Sequence, residues 1–534
     1  MGARGNAFLV SSTLVLVALV TVMQTLPPSP LPADAPAAEF SAERAIEYIR
    51  VIAAQPRVTG SSAYDAARDC VLAALKDMGL ETDTQRSGAL QNTTGWIRGN
   101  GSADIVLLTA HLDSVAEGPG ASDDASGVAV LLETARALMS DAPLRNTVMF
   151  LFTDNEEGGS IGAKAFIAAH PWAGKVRVVI GFDAGGLGGP GVLSATSAHD
   201  GWLIRQLAQA DPYVTGSSAI NALADSGTDF AHAFKAAGFP GYAFDLYWDR
   251  RIHTPEDSIE NLSPSSIQHQ GYHALSLARH LGNLGQLADP REPDAVYFSV
   301  LRLYVAAYPS PWAIPLAIAV TVIFCGLLAL GLTRRILTWG GMGYGMFVLL
   351  AGLTIAPLPS MLLGEGIPGV PFRFFGRSLG QPLQVGAVVL TTLALTMLWY
   401  SLSRRIRSTS LPDLAMGALV LMWAGMAGTC VALPALSFAF TWPMLLSLLA
   451  CVNWFCWYAR RENSKTIVWG LLLSGGASTV ILGPTILLGL FDQMSLTLLL
   501  LGALCGFLVP QIHLMLGCTL GNQQQDVVHR NKTF

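Results

Sequence analysis

Two histidines and a scatter of carboxylates carry the chemistry this sequence can support. His111-Leu112-Asp113 follows an apolar run, and Asp123-Asp124 lies in the Gly-rich stretch GPGASDDASG (118–127). Asp154-Asn155-Glu156-Glu157 closes a second apolar run, and Phe182-Asp183 closes a third. Farther on comes Arg251-Ile252-His253-Thr254-Pro255-Glu256-Asp257. Imidazole nitrogen mixed with carboxylate oxygen suits borderline and hard divalent metals. A carboxylate close to such a metal can serve as a general base in hydrolysis. Each piece alone is ordinary, since a histidine at a strand end is usually structural and a Glu-Glu pair is usually a solvated face. Their joint occurrence in separate loops points to one site.

Those loops need a scaffold that brings them together. DIVLLTA (104–110), TVMFLFT (147–153) and VRVVIGF (176–182) are short, apolar, β-rich runs that read as buried strands. GVAVLLETARALM (127–139) between the first two reads as a helix. Apolar residues at helical spacing predict two earlier helices over 42–53 and 64–79, with Gly79 as a stop. Strands alternating with helices predict an α/β domain whose mixed, largely parallel central sheet is flanked by helices. Ligands of such sheets bind beyond the carboxyl ends of the strands, where the residues above fall. Thr228-Asp229-Phe230 reads as the capped start of a further helix.

His111-Leu112-Asp113, Ser122-Asp123-Asp124-Ala125-Ser126-Gly127, Glu156-Glu157-Gly158-Gly159, Asp183 and His253-Thr254-Pro255-Glu256-Asp257 together resemble, in order and spacing, the motif series of the M28 zinc peptidases. One leading apolar segment, this domain and a multi-span tail resemble that family's membrane branch. The resemblance covers about 250 residues and implies an aminopeptidase-like zinc exopeptidase with two Zn2+ per chain, acting on peptides with a free N-terminus. It implies that His111 and Asp183 hold one zinc, that Glu157 and His253 hold the other, and that Asp123 bridges them through a cis peptide to Asp124. Asp113 would accept the second ring N–H of His111, and Glu156 would be the general base. Many members carry Tyr directly before the last histidine; here that position is Ile252, and Tyr247 is one replacement donor. The resemblance also makes Thr228-Asp229-Phe230 a pocket loop. Two rival readings share the fold: a glutaminyl-cyclase-like acyl transferase with a single zinc, and an inactive, receptor-like ectodomain. The full set of ligands and the base argue against the second, and the FDAGG stretch at 182–186 favours a peptidase over the first.

The 534-residue chain divides by composition. Its mean hydropathy of +0.45 comes from the block 311–517. Residues 7–26 are apolar and long enough to cross a bilayer core of about 30 Å. An uncleaved anchor is the expectation, with a signal peptide cut near Ala33-Asp34-Ala35 as the alternative. Seven further spans are predicted near 311–333, 343–363, 382–403, 412–433, 434–458, 466–491 and 495–517. Arg334, Arg335, Arg404, Arg405, Arg407, Arg460, Arg461, Lys465, Arg530 and Lys532 fall in alternate connections, Arg373 and Arg377 being the main exceptions elsewhere. Such loops stay cytoplasmic, which puts both chain ends inside and residues 27–310 on the exoplasmic side: the periplasm of a bacterium or the lumen of an endomembrane.

The expected organisation is an anchor (1–26), a linker (27–40), the peptidase-like domain (41–290), a second linker (291–310), an all-α transmembrane domain of about seven helices (311–517) and a cytoplasmic tail (518–534). The spans hold few ionisable residues, His513 and Asp413 among them, which suits a scaffold better than an ion-coupled transporter. Only Cys70 of the seven cysteines lies in the domain, which excludes a disulfide framework there. The net charge of −5 without a basic arm argues against a nucleic-acid partner. Oligomeric state is not legible, and the triplets at Asn92, Asn100 and Asn261 matter only in a host that glycosylates.

Overall fold

The computed structural model describes residues 26–211, 213–223, 226–245, 251–285, 287, 291–355 and 394–458, with isolated residues between 12 and 24 and between 477 and 482. The chain forms two compact units, one of residues 25–310 and the other of residues 1–24 with 311–534.

In the first unit, α1 (Ala42–Ile52) starts at Ser41, whose hydroxyl accepts the Arg44 N–H at 3.3 Å. Its residues Ala45, Ile49 and Ile52 fall three or four apart and are buried. Ser61 caps α2 (Ser62–Asp77) in the same way, and Gly79, at φ +82°, makes the left-handed stop. A hairpin of β1 (Glu81–Ser87) and β2 (Leu90–Ile97) precedes β3 (Ile105–His111), α3 (Ala125–Met139), β4 (Thr147–Thr153), α4 (Ile161–Ala169) and β5 (Val176–Phe182). Then come β6 (Val192–Thr196), α5 (Gly201–Ala210), β7 (Thr215–Gly216), α6 (Ser218–Leu223), β8 (Gly241–Asp245) and α7 (Pro264–Asn283).

The eight strands form one sheet in the order β1-β2-β4-β3-β5-β8-β6-β7. The pairs β4–β3, β3–β5, β5–β8 and β6–β7 are parallel, while β1–β2, β2–β4 and β8–β6 are antiparallel. The fold is therefore α/β with a mixed, largely parallel sheet, as expected. Every residue of β3 and β4 is buried because helices cover both faces. Alternate residues serve opposite layers. Val106, Leu108, Phe150 and Phe152 pack in the core with α1, α3 and α7, whereas Ile105, Leu107, Met149 and Leu151 join Phe166 and Phe234 on the other face. Since β3, β4 and β5 are mutually parallel, their carboxyl ends open on one edge.

Two stretches read as linkers fold onto the domain. Residues 27–40 form no helix or strand but are pinned: Leu31 N–H donates to Gln268 Oε1 at 2.9 Å, Arg44 Nη1 to the Ala33 carbonyl at 2.8 Å, and Phe40 is buried. Within 291–310, β9 (Ala295–Val300) and β10 (Tyr304–Pro309) form an antiparallel hairpin. Val296, Tyr297 and Phe298 of β9 are buried, and that burial is what makes it part of the core.

The apolar unit contains α8 (Ala313–Thr333), α9 (Trp339–Ile355), a helical stretch over 394–406, α10 (Leu411–Ala432) and α11 (Phe438–Tyr458). Among the described residues, two segments, Ser310–Thr333 and Pro412–Ala432, are long and apolar enough to cross a membrane by length and composition. A Cβ on Gly417 would stand 2.4 Å from the Met342 carbonyl, so α9 and α10 approach closely because a glycine lies between them. Asp413 accepts Thr338 N–H at 2.7 Å and the Ser410 hydroxyl at 2.8 Å, which satisfies a carboxylate otherwise costly in this unit. The expected span at 495–517, and parts of those at 7–26, 343–363, 382–403 and 466–491, lie outside the described residues, as does His513.

Candidate metal centre

His111 is the last residue of β3. Its Nε2 lies 2.9 Å from Asp123 Oδ1 and 3.5 Å from Asp183 Oδ1. Asp183 follows β5 directly, and its N–H donates to the Phe244 carbonyl of β8 at 3.1 Å. On the other side of Asp123, His253 Nε2 lies 3.0 Å from Asp123 Oδ2 and 3.2 Å from Glu157 Oε2. The two oxygens of Asp123 thus face the two histidines, one each. The cluster falls into two donor sets, His111 with Asp183 and Glu157 with His253, sharing Asp123. Asp124 also comes within 4.8 Å of His111 and Asp183 ligand atoms. Its carboxylate, however, already accepts the His111 and Gly127 main-chain N–H groups, at 3.3 and 2.9 Å. That leaves Asp123 as the better-placed ligand. The peptide between the two aspartates is cis.

Main-chain geometry delivers these groups. Asp124 caps α3, so the loop must turn sharply from Asp123 into the helix. Gly120, at φ +61°, permits the approach, since a Cβ there would stand 2.2 Å from the Asp123 carbonyl. Asp257 holds the same loop by accepting N–H bonds from Ser122 at 2.6 Å and Asp123 at 3.1 Å. His253 itself sits at φ +58°, and its side chain is 54% exposed, so it closes the cluster from the solvent side.

Asp113 is placed differently from the simplest expectation. The His111 Nδ1 atom is closer to the Asp113 main-chain carbonyl, 3.1 Å, than to its carboxylate, 3.5 Å. The Asp113 oxygens instead accept the N–H groups of Glu156 and Glu157, at 3.0 and 3.2 Å. One residue therefore orients His111 through its backbone and both glutamates through its side chain. Glu156 Oε1 accepts the Ser160 hydroxyl at 3.2 Å.

Charge is unevenly balanced here. Burial, then the charges of Asp183, Asp229 and Asp123 working against that of His111, push Glu156 up to about 9. Burial likewise raises Asp183 to about 6 and Asp257 to about 7. Burial acts to raise Asp123 too, but hydrogen bonds from both histidines outweigh it and hold the group below the usual carboxylate range. Hydrogen bonds to Asp123 and Glu157 carry His253 up to about 10. Proton affinity this high on imidazoles among carboxylates is what a divalent cation would replace. Glu157 Oε1 is buried and has no hydrogen-bond partner among the described residues, which is the state of an oxygen fit to be a ligand. The donor set of two imidazoles and three carboxylates suits zinc.

Three contributors were not legible as such. Arg57 is fully buried, and its guanidinium donates to the main-chain carbonyls of Leu112 (2.6 Å), Pro119 and Gly120 (2.9 Å). It ties the His111 strand end to the Asp123 loop from 55 residues away, and nothing in its local sequence announces this. Asp229 does not cap the Phe230–Lys235 turn; its carboxylate accepts the Thr153 hydroxyl at the end of β4. Asp257 stood in the quoted motif without a role. Ile252 is half-buried, and Tyr247 lies outside the described residues.

Residues 92–278 match the profile of Peptidase family M28. Endoplasmic reticulum metallopeptidase 1 of Homo sapiens is 34% identical over 221 residues, 40% of this chain and 24% of that protein. The vacuolar membrane protease of Candida albicans (strain SC5314 / ATCC MYA-2876) is 33% identical over 272 residues, 48% of this chain and 31% of that protein. The matched region thus spans about a quarter to a third of these relatives' length. Among solved structures, an aminopeptidase from Aneurinibacillus sp. strain AM-1 is 16% identical at a TM-score of 0.41, covering 48% of this chain and 97% of that one. Porphyromonas gingivalis glutaminyl cyclase is 19% identical at a TM-score of 0.38, covering 45% of this chain and 98% of that one.

Proposed function

We propose that this chain is a membrane-anchored, zinc-dependent exopeptidase of the aminopeptidase type, with its catalytic domain on the exoplasmic side. The observation that carries the reading is the division of the cluster by Asp123. His111 with Asp183 would hold one Zn2+, Glu157 with His253 the other, and Asp123 both. Bound zinc would supply Lewis-acid polarisation of a peptide carbonyl and lower the pKa of water. Glu156 would take a proton from the attacking water and return it to the leaving amine. Asp113 would hold Glu156 in place through the main-chain bond, and Ser160 would orient the accepting carboxylate. The relatives named as metallopeptidase and membrane protease support the class of reaction. A single-zinc cyclase would have no use for the second donor set.

An exopeptidase must recognise the substrate ammonium. Carboxylate oxygens beyond those needed for metal can accept its N–H groups, each such charge-assisted bond contributing roughly 1.5–3 kcal/mol. N-acetylating a good short peptide is therefore expected to slow its hydrolysis by about tenfold to a hundredfold or more. Full-length protein in detergent with added zinc, assayed for free amino acids, checks this. Equal cleavage of both peptides, or cuts inside a long one, would remove the exopeptidase assignment and leave zinc hydrolysis standing.

The topology has its own test. A reporter fused after Arg405 is expected to read cytoplasm, and one inserted near Ser87, in the exposed β1–β2 turn, the opposite side. Finding both on one side overturns the orientation.

A further inference from the structure

The β9–β10 hairpin belongs to the 25–310 unit, and its two strands are buried unequally. β9 is buried and anchored: Tyr297 N–H donates to the Ser218 hydroxyl at 3.2 Å, and the Ser299 hydroxyl to the Val214 and Gly216 carbonyls at 2.8 and 3.0 Å. Along β10 only Val305 is buried. The turn carries Leu301 and Arg302 at φ +56° and +53°, followed by Leu303 and Tyr304, which are 70% and 63% exposed. Tyr308, half-buried, stands on the same face as Tyr304, two strand repeats nearer the end of β10.

The two ends of β10 coincide with the two places where the chain enters apolar segments. At the turn, Arg302 Nη1 donates to the carbonyl of Leu26, the last residue of the apolar run 7–26. At the other end, Ser310 N–H donates to the Asp294 carbonyl at 2.7 Å, and Ser310 opens the 24-residue apolar helix that ends at Thr333. A six-residue strand is about 20 Å long. If both entry points lie at a bilayer surface, the strand between them lies along that surface. The exposed residues of the turn and strand are Leu301, Leu303, Tyr304, Ala307 and Pro309, all uncharged, and a tyrosine with its apolar body and polar tip suits the headgroup boundary. Leu26, itself 52% exposed, extends the same patch. A water-facing edge strand is more usually charged.

We propose that this hairpin is the membrane-contacting edge of the 25–310 domain. Its turn, Leu301 to Tyr304, would insert into the interfacial layer of the bilayer. The inference rests on the membrane-spanning part of the proposed function and does not depend on the peptidase reading.

The test uses the full chain in phosphatidylcholine nanodiscs. Benzoylphenylalanine replaces Leu303 or Tyr304 in separate variants, Val51 on α1 as an equally exposed site elsewhere in the domain, and Val322 within α8 as a reporter of the span. After irradiation, mass spectrometry measures lipid adducts. Lipid adducts are expected at 303 and 304 at least tenfold above 51, and at 322 as well. Adducts at 322 with none above the Val51 level at 303 and 304 overturn the hairpin proposal and leave the span standing. Protein adducts at 303 or 304 in place of lipid overturn it in favour of a second copy. No lipid adduct at 322 overturns the spanning reading, and the hairpin proposal with it.

Discussion

Glu156→Gln is expected to lower kcat by about 10²–10⁴ while metal content and thermal stability stay unchanged, the range a positioned general base contributes. Gln keeps the shape of the side chain and an oxygen that can accept the Ser160 hydroxyl, and it leaves the main-chain bond to Asp113 intact. What it removes is the ability to bind a proton. Burial and the neighbouring carboxylates raise the proton affinity of Glu156 to about 9 from its protein surroundings alone, and cations in the cluster would act in the opposite sense. The acidic limb of the pH–rate profile should therefore lose this group's contribution in the variant and keep only the fall that follows metal release at low pH. Steady-state kinetics beside elemental analysis checks both halves. Near-normal turnover at unchanged metal content would assign the base elsewhere.

Asp123→Asn is expected to do more: metal per chain falls from two to one or fewer, and activity falls by at least the loss expected for Glu156→Gln. The asparagine retains the N–H bond to Asp257, so the loop keeps its anchor. It offers only one acceptor oxygen in place of the two that face His111 and His253. The effect is readable without turnover. Metal that binds only the folded state stabilises it by about 4 kcal/mol at a thousandfold excess over Kd. A chelator should therefore lower the Tm of the wild type clearly and that of Asp123→Asn much less.

Lowering the pH should act in the same direction. Asp183 holds its proton up to about 6 when no cation competes, chiefly because it is buried. A folded-state pKa raised above the unfolded value means that the metal-free form gains stability as pH falls from about 6 toward the ordinary 3.8. The metal-bound form must instead give up its ion to the proton. The chelator-induced difference in Tm should consequently shrink below about pH 6. An Asp123→Asn variant that keeps two metals and a full chelator response would end the bridging assignment.

Much of the 25–310 domain was legible because its signals are local. Buried parallel strands must be apolar throughout, so β3, β4 and β5 stand out as runs, and the residues just past them mark the functional edge. Gly79 marks a helix end through a bond within four residues. The metal-binding candidates follow from residue type at those strand ends.

What only the tertiary structure decided depends on partners distant in the chain. Arg57 acts on carbonyls at Leu112, Pro119 and Gly120, and no pattern around it distinguishes it from a surface arginine. Asp113 spends its carboxylate on the amides of Glu156 and Glu157, more than 40 residues on, a choice fixed by where β4 ends beside β3. Asp229 turned from a helix cap to Thr153, a partner 76 residues away that no local pattern announces. The hairpin at 295–309 read as a linker because its exposed strand breaks the expected alternation, and only the burial of Val296, Tyr297 and Phe298 against the rest of the domain makes it structure. Sequence reveals what a residue can do with its near neighbours; which of several capable carboxylates meets which imidazole is set by the closing of the sheet, because hydrogen bonds and ligand geometry are decided over tenths of an ångström.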